Sequence, residues 1–302
     1  MHRNDRRKLV AALLTGCALA GYSGDAEAAD LRVKAPVAVP VYSWTGFYLG
    51  AHAGYGWRNP TVAFTANDPA AFAISCGGNN GSTCVPPASF RGDGVLGGLQ
   101  AGYNWQFNQS GVIGAEADFA WTSMGGEATS TFLMQPLLFP PGTSTFRASE
   151  DVKWFGTVRG RLGWLPTSQL LIYGTAGFAY GRVDEDLNLN GQAGSNFVQG
   201  GFVHNCGNPA AAPRCYVGSS SRIATGWAAG AGLEHALGNN VSLKAEYLYV
   251  NLGNVATSAA VSALLVGPNQ TAASFTASHR EDFHVARVGV NYRFGGPVVA
   301  RY

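Results

Sequence analysis

The chain has 302 residues, a formal net charge of +2, 41 glycines and only 13% charged residues. Near neutrality, with no basic run after the first eight residues, argues against a nucleic-acid partner, which would need a concentrated basic patch. A soluble domain usually carries about 25% charged residues, so much of this surface is expected to face something other than water.

The first segment reads as an export signal. His2 to Lys8 is basic, Leu9 to Ala20 is apolar, and Ala26-Glu27-Ala28 forms a small-x-small cleavage site before Ala29 and Asp30. Residues 1–28 are therefore expected to be a signal peptide, with an ordinary apolar helix as the alternative. Leu14-Thr15-Gly16-Cys17 keeps a second route open, lipoprotein processing with an acylated Cys17. Either route takes the chain out of the cytoplasm. Residues 29–43, Pro-rich from 34, read as a periplasmic lead-in. No later segment reaches the ~20 continuous apolar residues of a membrane-crossing helix. A soluble all-β fold or a closed barrel remains.

From Trp44 onward one pattern repeats, apolar or aromatic residues alternating with small or polar ones, as strands with unlike faces require. The alternation predicts strands over 44–57, 91–107, 111–123, 151–165, 170–186, 222–237, 241–253 and 283–294. Three connections, 108–110, 166–169 and 238–240, are short, whereas 58–90, 124–150, 187–221 and 254–282 are long. Strict alternation of short and long connections is the mark of a transmembrane barrel, with turns on the periplasmic side and loops outside. The expected fold over 44–302 is thus all-β, an eight-stranded antiparallel up-and-down transmembrane β-barrel.

The faces support it. Ile113, Ala115, Ala117, Phe119 and Trp121 share one face, against Gly114, Glu116 and Asp118. Val152, Trp154, Val158, Leu162 and Trp164 oppose Lys153, Thr157, Arg159 and Arg161. Val241 to Tyr249 and Ala286 to Phe294 repeat the scheme, with Lys244, Glu246, Arg287 and Arg293 on the other face. Charges inside and apolar groups outside are favourable only in lipid. Outward aromatics also sort by height. Tyr55, Trp57, Phe119, Trp121, Trp154, Phe178, Tyr180, Tyr247 and Tyr249 lie near the loop ends. Phe47, Trp105, Phe107, Trp164, Tyr292 and Phe294 lie near the turn ends. Two belts flanking an aliphatic band match two membrane interfaces.

Four cysteines fall in long loops. In an exported chain the close spacings of Cys76 with Cys84 and Cys206 with Cys215 read as two local disulfides. Metal binding there is the alternative, although no His or carboxylate cluster completes either site.

Trp44-Thr45-Gly46-Phe47-Tyr48-Leu49-Gly50 resembles the small outer-membrane immunogenic, porin-like proteins of alphaproteobacteria, of the OmpA-type barrel superfamily. Gly114 to Phe119, Gly156 to Gly163, Leu243 to Tyr247 and Gly289 to Phe294 carry the resemblance to about residue 294. It implies an outer-membrane location, contact with membrane lipid and lipopolysaccharide, and recognition by the barrel-assembly machinery through a terminal aromatic. Members commonly finish at that aromatic, whereas here Gly295 to Tyr302 follow Phe294. Self-association is left open.

Glu116, Asp118, Arg159, Arg161, Glu234, Lys244, Glu246, Arg287 and Arg293 are all expected to point inward. A turn centred on Asn239 would set Glu234 opposite Lys244 as a cross-strand pair. The charges read as an ion-pair network filling a narrow lumen. The alternative is a selectivity filter in a small pore, with the inward Gly98, Gly102, Gly226, Gly230 and Gly232 leaving room. No catalytic residues, cofactor or metal are expected. His52 points inward, His235 and His284 toward lipid, and His204 and His279 lie in loops. Ser278-His279 with Glu281-Asp282 reads as a polar loop end. The expected role is an envelope barrel displaying four loops, ahead of small-solute diffusion and loop-mediated adhesion.

Overall fold

A computed structural model describes residues 42–69, 71–72, 85–134, 142–190, 196–199, 202–205, 216–238, 240–261 and 273–294. The export segment, Cys17, Cys76, Cys84, Cys206, Cys215 and the terminal aromatic Tyr302 lie outside them. The strands are β1 (Gly46–Arg58), β2 (Thr61–Ala66), β3 (Ala88–Ser89), β4 (Gly92–Gln106), β5 (Gly111–Met134) and β6 (Gly142–Thr167). They continue with β7 (Leu170–Asn190), β8 (Asn196–Gln199), β9 (Phe202–Asn205), β10 (Tyr216–Gly238), β11 (Val241–Val261) and β12 (Ser274–Phe294).

Eight of these close a ring in the order β1-β4-β5-β6-β7-β10-β11-β12, and β12 returns to β1. Every ladder is antiparallel, from Phe47 opposite Tyr103 on one side of β1 to Phe47 opposite Phe294 on the other. The fold is therefore the eight-stranded up-and-down barrel. β2 and β3 add to β12 at the long-loop end, and β8 and β9 form a separate hairpin. The short turns use local chemistry. Asn108 accepts from the backbone N–H of Ser110 at 2.8 Å, and the β10–β11 turn uses positive φ at Gly238 (98°) and Asn240 (67°).

The aromatic belts lie on the outer surface. Trp121, Phe178, Trp227 and Tyr247 are exposed toward the long-loop end, and Phe47, Trp105, Trp164 and Phe294 toward the short-turn end. Trp154 and Trp164 are ten positions apart on β6. Ten residues span about 34 Å along a strand, or about 26 Å at a tilt of ~40°, close to the ~25 Å apolar band of such barrels. His284 joins the upper belt, stacked on Trp57 with ring centroids 5.7 Å apart.

The strands run well past that belt, which corrects the expected boundaries. β5 continues to Met134, β6 begins at Gly142, and β12 begins at Ser274 rather than 283. Above the belt the pattern inverts. On β12 the outward residues change from Ala286, Val288, Val290, Tyr292 and Phe294 to Ser274, Thr276, Ser278, Arg280 and Asp282. The inward ones become Phe275 and Ala277. The ladder continues, but water has replaced lipid outside, so apolar groups turn inward. His279 accordingly sits on a strand, not in a loop.

A phase error also appears on β6. A bulge between Val152 and Trp154 shifts the alternation, so Val152 is buried in the lumen and Lys153 points out to Asp151 at 3.0 Å. Both were expected on the opposite face.

Candidate functional site

The lumen is filled in layers from end to end of the described barrel. At the short-turn end Trp44 turns inward, its backbone N–H bonding Gln106 and its indole N–H the Ser168 carbonyl, each at 3.1 Å. It packs with Val112, Leu165, Leu171, Tyr173 and Ala236. The first strand was expected to begin at Trp44, whereas β1 begins at Gly46, so Trp44 closes the barrel from just outside the ladder.

The charged layer lies above it. Arg159, Arg161, Lys244 and Arg287 face Glu116, Asp118, Glu234 and Glu246, four cations against four carboxylates, all buried. Arg159 Nη2 lies 2.7 Å from both Glu116 and Asp118, and its Nη1 lies 3.2 Å from Glu246. Arg287 donates to Glu246 at 2.7 Å and to Asp118 at 3.0 Å. Glu234 stands opposite Lys244 in register, yet the two do not form the anticipated pair. Lys244 reaches to Glu116 at 2.6 Å and Glu246 at 3.4 Å, while Glu234 pairs with Arg161 and accepts from Ser242 and Asn291. In so narrow a lumen, side chains reach across the axis as easily as along the sheet. Arg293 stands apart, 4.1 Å from the Tyr42 ring centroid and 3.5 Å from Asn240 Oδ1.

Two tyrosines complete this layer. Tyr48 donates to Glu116 at 2.7 Å and Tyr173 to Glu246 at 3.0 Å, and the Arg161 guanidinium lies 3.7 Å from the Tyr173 ring centroid. Their space comes from glycine. A methyl group at Gly102 would collide with the Tyr48 ring, and one at Gly232 would come within 2.5 Å of the Tyr173 hydroxyl. Gly98 likewise faces His52. These three inward glycines thus accommodate rings rather than leave a passage. Their pairing with distant aromatics has no signature in one sequence.

Over the charges lies an apolar layer that includes Met124, Phe155, Val183, Leu248, Val250, Phe283 and Val285, each 0% exposed. The Phe155 and Phe283 rings meet edge to face at 5.2 Å. Above it, beyond the upper belt and thus outside the membrane-spanning band, is a second polar cluster of Arg58, Glu150, Glu185, Arg222, His279 and Glu281. Arg58 Nη1 bonds both Glu281 oxygens, at 2.8 and 2.7 Å, and also pairs with Glu150. His279 Nε2 lies 2.6 Å from Glu150 Oε2 and 3.3 Å from Glu281 Oε2, and its Nδ1 lies 3.6 Å from Glu185. Burial opposes charge on His279, but the Glu150 and Glu281 carboxylates prevail and push it up to about 9. Burial and Glu150 push Glu281 up to about 8. The cluster thus demands more positive charge than Arg58 and Arg222 supply. A last apolar layer, with Phe90, Phe146, Leu187, Tyr216 and Phe275, covers it.

The family model for the outer membrane protein beta-barrel domain matches residues 10–294. The chain is 36% identical over 283 residues to the 31 kDa outer-membrane immunogenic protein of Brucella melitensis biotype 1, covering 90% of this chain and 95% of that protein. It is 26% identical over 296 residues to the 25 kDa outer-membrane immunogenic protein of Brucella canis, covering 95% of this chain and 100% of that protein. Among solved structures it is similar to the outer membrane protein OprG from Pseudomonas aeruginosa, with a TM-score of 0.44 and 11% identity over 83% of this chain and 97% of that one.

Proposed function

The chain belongs to the outer membrane protein β-barrel domain family, and from that premise we propose that it is a closed barrel which anchors its long loops at the cell surface and conducts no solute. Its location is the outer membrane. The observation that carries the reading is the stack of buried layers, above all the apolar layer between two ion clusters. A conducting path needs a continuous wet passage, and an eight-stranded barrel has an interior that side chains can fill. Orientation follows the family rule of short turns in the periplasm and long loops outside. The extension of the strands above the upper belt would then lift the loops clear of the lipid headgroups. The relatives are named immunogenic, which suits a protein whose loops meet antibodies.

Planar-bilayer recording of purified protein tests this reading, with near silence as the expected result. Steady conductance in the wild type would establish the small-pore alternative instead. For loop-mediated adhesion the test is loop deletion, which would abolish surface binding while heat-modifiable migration persisted.

A further inference from the structure

The polar cluster above the membrane band contains a donor set that the lower network lacks. Glu150, His279 and Glu281 converge from β6 and β12, each bringing one ligand atom within 4.8 Å of the other two. We propose that Glu150, His279 and Glu281 form a buried binding site for one divalent metal ion of the zinc class, with Glu185 orienting the histidine.

Geometry is the first support. A tetrahedral zinc with bonds of about 2.0–2.1 Å holds its ligands about 3.3 Å apart. His279 Nε2 and Glu281 Oε2 are already 3.3 Å apart. Glu150 Oε2, at 2.6 Å from Nε2, would need to open by about 0.7 Å to reach that spacing. His279 and Glu281 share an inward face because strand periodicity is two, and the barrel brings Glu150 across to them.

The second support is the outer shell. Glu185 Oε1 faces the Nδ1 of His279 at 3.6 Å. A carboxylate there favours the tautomer protonated on Nδ1, which leaves the Nε2 lone pair pointing at the shared spot. Arg58 pairs with Glu150 through Oε1 and with both Glu281 oxygens, so Glu150 Oε2 is left clear of the guanidinium and faces the His279 ring. Glu150 Oε2 has the ring nitrogen of His279 as its close partner, at 2.6 Å, and a metal ion between the two would replace that contact.

Charge is the third. With all three carboxylates ionised, as metal ligation requires, Glu150, Glu185 and Glu281 with Arg58 would carry a formal charge of −2 among fully or nearly fully buried side chains. Without a metal, protons on His279 and Glu281 supply that balance. Arg222, with a side chain 31% exposed, sits at the rim, where solvent screens it. One divalent ion beside a neutral His279 balances the buried set. One imidazole with two carboxylates suits zinc or a similar transition ion better than magnesium or calcium, which take all-oxygen shells.

The test uses the full chain in detergent, in its heat-modifiable folded form, equilibrated with Zn²⁺ and then dialysed into metal-free buffer. One zinc per chain should be retained, and Co²⁺ in its place should give the intense visible bands of a tetrahedral site. His279→Ala and Glu150→Gln should each weaken retention at least tenfold and abolish the cobalt bands. Glu185→Gln should weaken it roughly 10- to 100-fold, and His284→Ala should change nothing. Absence of retained zinc in folded wild type would overturn the site and leave a protonated-histidine ion-pair cluster. Equal retention by wild type and His279→Ala would overturn it as well, by moving the metal to other groups. Should His279→Ala fail to assemble, Glu150→Gln, which keeps the side-chain shape, decides by the same criteria.

Discussion

Replacing Arg159 with Met keeps most of the side-chain volume but removes one of four cations from the lumen network. Glu116, Asp118 and Glu246 then lose one of the two arginines they share, Arg287 being the other, and four carboxylates face three cations. Breaking a buried pair typically costs about 3–5 kcal/mol. Arg287 still reaches Asp118 at 3.0 Å and Lys244 still reaches Glu116 at 2.6 Å, so the lower end, about 3 kcal/mol, is expected. Equilibrium urea unfolding in detergent, followed by tryptophan fluorescence and by the folded-to-unfolded shift on gels, measures it. Adding Asp118→Asn restores neutrality, and the double variant should be more stable than the sum of the singles by about 1–3 kcal/mol, as coupled neighbours are. A loss below about 1 kcal/mol for Arg159→Met, or strict additivity in the double variant, would show that water fills the lumen and screens the charges. The closed-barrel reasoning would then fail.

Phe155→Ala removes one half of the edge-to-face pair in the apolar layer, at an expected cost of about 3–5 kcal/mol in the same unfolding assay. In planar bilayers Arg159→Ala alone should stay silent, because that layer and the Trp44 plug remain. Combining it with Phe155→Ala and Trp44→Ala should raise conductance, and steady current from Arg159→Ala alone would contradict the layered seal. Gly102→Ala forces the new methyl against Tyr48 and should destabilise by about 1–3 kcal/mol. The added change Tyr48→Ala should relieve part of the cost, the Ala115 carbonyl 2.7 Å from the new methyl accounting for the rest, and strict additivity of the two changes would refute the glycine–tyrosine fit. In the long loops, Cys76–Cys84 and Cys206–Cys215 are expected as oxidised local pairs. Mass spectrometry of a non-reduced digest checks this, and free thiols or cross-loop pairs would refute it.

The sequence by itself determined the number of barrel strands, the alternation of short and long connections, the two aromatic belts and the inward face of Glu116, Asp118, Arg159 and Arg161. Lipid imposes those features position by position, because a bilayer leaves outward residues no polar option and strand geometry fixes the period at two. Strand ends were less legible. Above the belt the same ladder reverses its polarity, so Phe275, Ala277, His279 and Glu281 looked like part of a loop. Only the tertiary structure decided which partner each charge takes. Lys244 passes over Glu234 for Glu116, Tyr48 and Tyr173 fill the hollows left by Gly102 and Gly232, and Glu150 meets His279 from more than a hundred residues away. These choices depend on distances across the barrel axis, set by strand number and closure, which no local spacing along the chain encodes.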